Sequence, residues 1–125
     1  MDIHFLKRNK IIVNFSSSIG EGIAFWRSDD KLFKGKEIEV ELDVPQILCF
    51  GKDIVLAEQQ EEKIYVCNDL VHITGRIEQI EWDNIITVRL GTSILLVEVE
   101  DMDKYELNNW IEIRTNELVL TEVIF

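Results

Sequence analysis

The sequence predicts a mainly β chain, folded as a small antiparallel β-barrel or sandwich with one short helix. Three observations carry that expectation. Short runs rich in Ile and Val recur along the 125 residues. Gly, Asn and Asp, the turn formers, stand between the runs. Apolar and charged residues alternate with period two, most cleanly in KEIEVELDV at 36–44.

The first run is KIIVNF at 10–15. SSSIGEG at 16–22 reads as a turn or loop, and GIAFW at 22–26 as the next strand. In KEIEVELDV, Ile38, Val40, Leu42 and Val44 fall on one face, and Glu37, Glu39, Glu41 and Asp43 on the other. QILCF (46–50), DIVLAE (53–58) and KIYVC (63–67) follow. LVHITGRIEQIEW (70–82) is too long for a flat strand. Gly75 lies inside it, and Ile77 and Ile80 cannot share one face of a regular strand, so a bulge or sharp bend is expected. Asp83-Asn84 and Gly91-Thr92 then turn the chain through IITVRL (85–90) and SILLVEVE (93–100), making a meander. DMDKYEL (101–107) is the one helical candidate, with Asp101 as its cap and Met102, Tyr105 or Leu107 packed on the sheet. WIEIRT (110–115) and ELVLTEVIF (117–125) close the chain, with Asn116 as a hairpin turn between them.

Length and composition predict a single domain over residues 1–125, large enough to fold without disulfide or metal. No apolar run approaches the ~20 residues of a membrane helix. In MDIHFLKRNKIIVNF the charges follow the wrong order for a secretory signal, so the expectation is a soluble cytoplasmic protein that avoids membranes. Cys49 and Cys67 sit in strand-like runs and read as two buried free thiols, a disulfide remaining possible if their strands are neighbours. The net charge of −11 is uneven: residues 1–36 hold seven Lys/Arg against four acids, the rest six against twenty. Such a surface repels phosphate backbones, so nucleic acid is not an expected partner, the LKRNK cluster notwithstanding.

The run HITGRIEQIEWDNIITVRLGTSILLVEVE, followed by NNWIEIRTNELVL, resembles the small OB-type barrels, including the TOBE-type modules that follow transporter ATPase domains. The likeness lies in pattern: a long bent first strand, two more meander strands, a short helix and two closing strands, over residues 70–125. Where such modules often carry Gly-Asp, this chain has Asn108-Asn109. Some of these modules bind small oxyanions, and no binding residue is carried over to a chain this acidic. The first 69 residues have no counterpart in the resemblance; they add strands to the barrel or form a second sheet.

The acidic ladder is the sharpest local feature. Alternate side chains on a strand stand roughly 7 Å apart. At that spacing in salt water each repulsion costs a few tenths of a kcal/mol, roughly, which solvation tolerates. One reading is a solvated face balanced by basic cross-strand neighbours, with Lys52, Lys63, Arg89 and Arg114 as candidates. The functional reading is a face that meets a basic protein, made of Glu37, Glu39, Glu41 and Asp43, with Trp26 as an aromatic anchor. The acids Glu98, Glu100, Asp101, Asp103 and Glu106 suit a helix start. No metal and no cofactor is expected, because a Ca²⁺ loop needs converging carboxylates at a spacing that is absent. GEG at 20–22 lacks the rest of a phosphate loop, and His4 and His72, the only histidines, sit in no catalytic pattern. His72 is expected to point outward.

The expected function is therefore non-enzymatic: an acidic protein-binding module. An inhibitor of a basic toxin or nuclease, in the manner of bacterial immunity proteins, is a specific version resting on charge. The alternatives are a small-ligand-binding or regulatory β-barrel, and a structural subunit of a homo-oligomer built by strand-edge pairing.

Overall fold

The computed structural model describes residues 1–9, 12–27 and 37–123. Among the described residues twelve strands follow one another: β1 (Asp2–Asn9), β2 (Ile12–Ser17), β3 (Gly20–Trp26), β4 (Glu37–Asp43), β5 (Ile47–Leu48), β6 (Ile54–Leu56), β7 (Lys63–Cys67), β8 (Leu70–Ile80), β9 (Ile85–Leu90), β10 (Ser93–Val99), β11 (Trp110–Thr115) and β12 (Val119–Glu122). Strand makes up 64% of the described residues, so the fold class is the mainly β one that the alternation predicts. Among the described residues there is no α-helix. The segment expected as a short helix makes a single 3-10 turn, Met102–Lys104, and Asp101 gives it no side-chain cap. Two turns without a cap lack the hydrogen bonds to outlast the pull of the flanking strands.

Five strands close into a barrel. β1, β2 and β3 form a meander, β4 returns beside β1, and β12 closes between β3 and β4. The β3–β12 pairing is parallel, as are β3–β7 and β5–β10, so the sheet is mixed rather than purely antiparallel. The barrel is therefore built by β1, β2, β3, β4 and β12. Residues 70–125, expected to form it, contribute only β12; the rest of them make the additional strands. Two features of the sequence hid this. MDIHFLKRN does not alternate cleanly, yet it is β1. Asn116 is not a hairpin turn: β11 pairs with β6 and β8, whereas β12 crosses over to β3 and β4.

Beyond the barrel, β8 organises the sheet. Its first half pairs with β7 on one edge and with β11 on the other. Its second half pairs with β9, which pairs with β10, the expected meander. The register slips between Ile77 and Gln79, the bulge that the spacing of Ile77 and Ile80 required. β5 lies on β10 and β6 on β11, and the loop 49–53 joins them.

One apolar cluster runs through barrel and added strands alike, from Ile3, Phe15 and Trp26 to Ile77, Val88 and Ile113. β4 shows why the alternation matters. Its inner residues Ile38, Val40 and Leu42 are buried, each contributing about 1.5–3 kcal/mol by leaving water. The carboxylates between them are thereby held on the outside.

Candidate docking face

Glu37, Glu39 and Glu41 are exposed on the outer face of β4, and Asp43 is half-buried at its end. The neighbours of this ladder are β1 and β12, not the strands carrying the expected cations. Asp2 lies directly across from Glu39, His4 across from Glu37, and Thr121 across from Glu41. His4 Nε2 is 3.0 Å from Glu37 Oε2, and Arg27 reaches Asp43 at 3.7 Å. The ends of the ladder thus have partners, while in its middle two carboxylates face each other across the strands. Like charges placed directly opposite destabilise a sheet.

The cations expected to balance the ladder are spent elsewhere. Arg89 donates to both oxygens of Glu78 at 3.0 and 2.8 Å, and Arg114 Nε to Glu112 at 2.8 Å. Lys63 stands over the Tyr65 ring, and Lys52 lies in the loop after β5. His4 and Arg27 stand at the two ends of the ladder, and the Met1 ammonium donates to Val40 O beside its middle at 2.9 Å.

Trp26 does not belong to this face. It is 5% exposed and packs in the core beside β12. Adjacent residues of a strand face opposite ways, and it is Phe25 that stays half-buried at the surface.

An apolar patch adjoins the ladder. Alternation turns Ile94, Leu96 and Glu98 of β10 outward, with Ile85 and Ile47 on either side of Glu98. Ile47 is 58% exposed, Leu96 54% and Ile94 46%. β4 and β10 touch, and a shallow hollow bounded by Asp43, Pro45, Ile47, Ile85, Leu96 and Glu98 joins the end of the ladder to the patch. Large exposed side chains grouped with acids at the rim have the composition of a contact surface. Sequence reasoning missed the patch, although the run ILLV puts apolar residues on both faces of β10 and was the available signal.

A second polar arrangement lies on β7, β8 and β11. Register sets Tyr65, His72 and Arg114 in one row and Lys63, Thr74 and Glu112 in the next. The Tyr65 and His72 rings stack at 4.6 Å, and the Tyr65 hydroxyl donates to Glu112 Oε1 at 2.8 Å. His72 Nδ1 is 3.5 Å from Glu112 Oε2. Burial pushes the Glu112 carboxyl up, but the Arg114 guanidinium, the Tyr65 hydroxyl and His72 outweigh it, so the net shift is below the usual carboxylate value. The same hydrogen bond, with burial, raises the Tyr65 phenol. His72 does point outward, as expected, but lies half-buried beneath Tyr65.

Cys49 and Cys67 are both free thiols. Cys67 is exposed at the end of β7, not buried, and pairs in register with Leu70. No group of His, Cys, Asp or Glu among the described residues is arranged to hold a metal ion.

No family model, no curated protein and no solved structure matches the chain.

Proposed function

We propose that the chain is a non-enzymatic docking module whose acidic β4 face, with the apolar patch at its end, binds a basic protein. One observation carries this reading: Asp2 opposite Glu39 concentrates negative charge where sheet stability favours a cation. Alternation gives the ladder a rigid backing, since Glu39, Glu41 and Asp43 each stand between two buried aliphatic side chains. Ile94, Leu96 and Ile47 supply the apolar area that charge alone lacks. Inhibition of a basic toxin or nuclease is the specific form of this reading, and an intracellular setting accords with two free thiols. We further read the closed barrel as OB-type, because a three-strand meander, a fourth strand beside the first and a fifth between third and fourth is the order of that fold. The barrel so read consists of β1, β2, β3, β4 and β12, with the intervening strands as an insertion before the closing one.

The test is capture from a lysate of the source cell on the immobilised chain and on the variant E37Q/E39Q/E41Q, at low and high ionic strength. A basic protein is expected on the wild-type chain, released by salt and missing from the variant. A partner retained equally by both overturns the reading.

A further inference from the structure

The grid on β7, β8 and β11 has no part in docking through β4, and it floors a cleft of its own. The cleft has a volume of about 300 Å³ and is walled on one side by Val55, Leu56 and Ala57. Thr74 lies at its floor, 1% exposed, and the Thr74 hydroxyl has no hydrogen-bond partner. Native proteins rarely leave such a group unpaired unless something else completes it.

The remaining groups show what could complete it. Both Glu112 oxygens are already engaged, Oε1 by the Tyr65 hydroxyl and Oε2 by Arg114 Nε. The positions left to a ligand are then Lys63, the outer nitrogens of Arg114 and the Thr74 hydroxyl. Lys63 Nζ has the Tyr65 ring as its neighbour at 5.5 Å and, among the described residues, no carboxylate partner. Arg114 spends Nε on Glu112 and keeps its terminal nitrogens. The Thr74 hydroxyl has a proton to give. Two carboxylates line the same hollow, Glu112, held by Tyr65 and Arg114, and the exposed Glu58 at the rim. In a chain of net charge −11 this places two cations and a buried hydroxyl around one hollow.

We propose that this cleft binds a small amphipathic monocarboxylate. Its carboxylate accepts from Lys63, Arg114 and the Thr74 hydroxyl, and its apolar body lies along Val55, Leu56 and Ala57. Charge-assisted hydrogen bonds hold the head. The aliphatic wall selects against a bare inorganic anion, and Lys63 and Arg114 repel a cationic head of the same length.

Calorimetric titration of the full chain tests this with hexanoate, acetate, hexylamine and inorganic phosphate as probes, alongside amide chemical shifts. Hexanoate is expected to bind saturably, about ten-fold or more tighter than acetate or phosphate, and hexylamine not at all. Shifts should concentrate at residues 63–65, 72–74 and 112–114. Lys63→Met and Thr74→Val should each weaken hexanoate about ten-fold while keeping the wild-type melting temperature or raising it. The proposal is overturned by absent or unsaturable hexanoate binding, by hexylamine or phosphate binding as tightly, by shifts elsewhere, or by a Lys63→Met chain that binds as before. None of these results depends on the β4 face.

Discussion

Gly75→Ala probes the strand on which the added sheet depends. Gly75 lies where β8 is paired on both edges, opposite Ile111 of β11 and one residue before the β9 ladder begins at Arg76. A Cβ there would stand 2.6 Å from the Arg89 carbonyl oxygen, 2.6 Å from Val88 Cγ1 and 2.9 Å from Leu90 Cδ2. The carbonyl belongs to β9, which is held by β10 along its whole length, so it cannot withdraw without loosening that ladder. Val88 and Leu90 are 0% and 1% exposed and have no room to move. Overpacking of this kind costs about 1–3 kcal/mol. The unfolding entropy of a chain this long is about 0.26 kcal/mol per kelvin, so Tm falls by roughly 4–12 °C. Thermal unfolding followed by circular dichroism reads the change. Val88→Ala supplies the control: if the clash is the cause, the double variant is less destabilised than the sum of the singles, by about 0.5 kcal/mol or more. An unchanged Tm, or strict additivity with Val88→Ala, refutes the reasoning.

Tyr105→Phe should hold or raise Tm, because the Tyr105 hydroxyl is buried without a partner and such a group costs about 1–3 kcal/mol; a clear fall contradicts this. Burial first, then nearby Cys49, Asp101 and Asp53, push the Tyr105 phenol up to about 12 from the ordinary 10.0. This group therefore leaves stability unchanged below pH 10 and lowers it as pH rises from there toward 12, and tyrosinate absorbance should show Tyr105 ionising near pH 12. For Glu112 the sign is opposite. Its folded pKa lies below the ordinary 4.5, so its contribution is present above that value and lost as pH falls through the folded one. Urea unfolding at stepped pH should show Glu112→Gln less stable near neutrality, with a shallower acid limb; an acid limb identical to wild type counts against the ion-pair account.

The sequence made the strands legible and hid the way they are joined. Alternation in residues 37–43 placed Ile38, Val40 and Leu42 inside and the acids outside, because a half-buried strand has one pattern that works. The spacing of Ile77 and Ile80 announced a bulge, since a two-residue period leaves no other way to bury both. Pairing partners are another matter. β12 reaches β3 and β4 from 76 or more residues away, and no local signal marks a strand that leaves its neighbour at Asn116. The cations assigned to the acidic ladder failed for the same reason: Arg89 and Arg114 sit on β9 and β11, neither of which pairs with β4. Trp26 was misjudged because two adjacent aromatics, Phe25 and Trp26, must face opposite ways, and the sequence does not say which faces in. Thr74 gave no signal at all, as its burial follows from β7 and β11 flanking it on both sides.

The association rate of the captured basic partner, compared between the wild-type chain and E37Q/E39Q/E41Q over a range of ionic strength, tests the central claim most directly. The account predicts a wild-type rate that falls steeply with salt, and a variant about ten-fold or more slower at low salt with a much flatter dependence. Equal rates with equal salt slopes would contradict it.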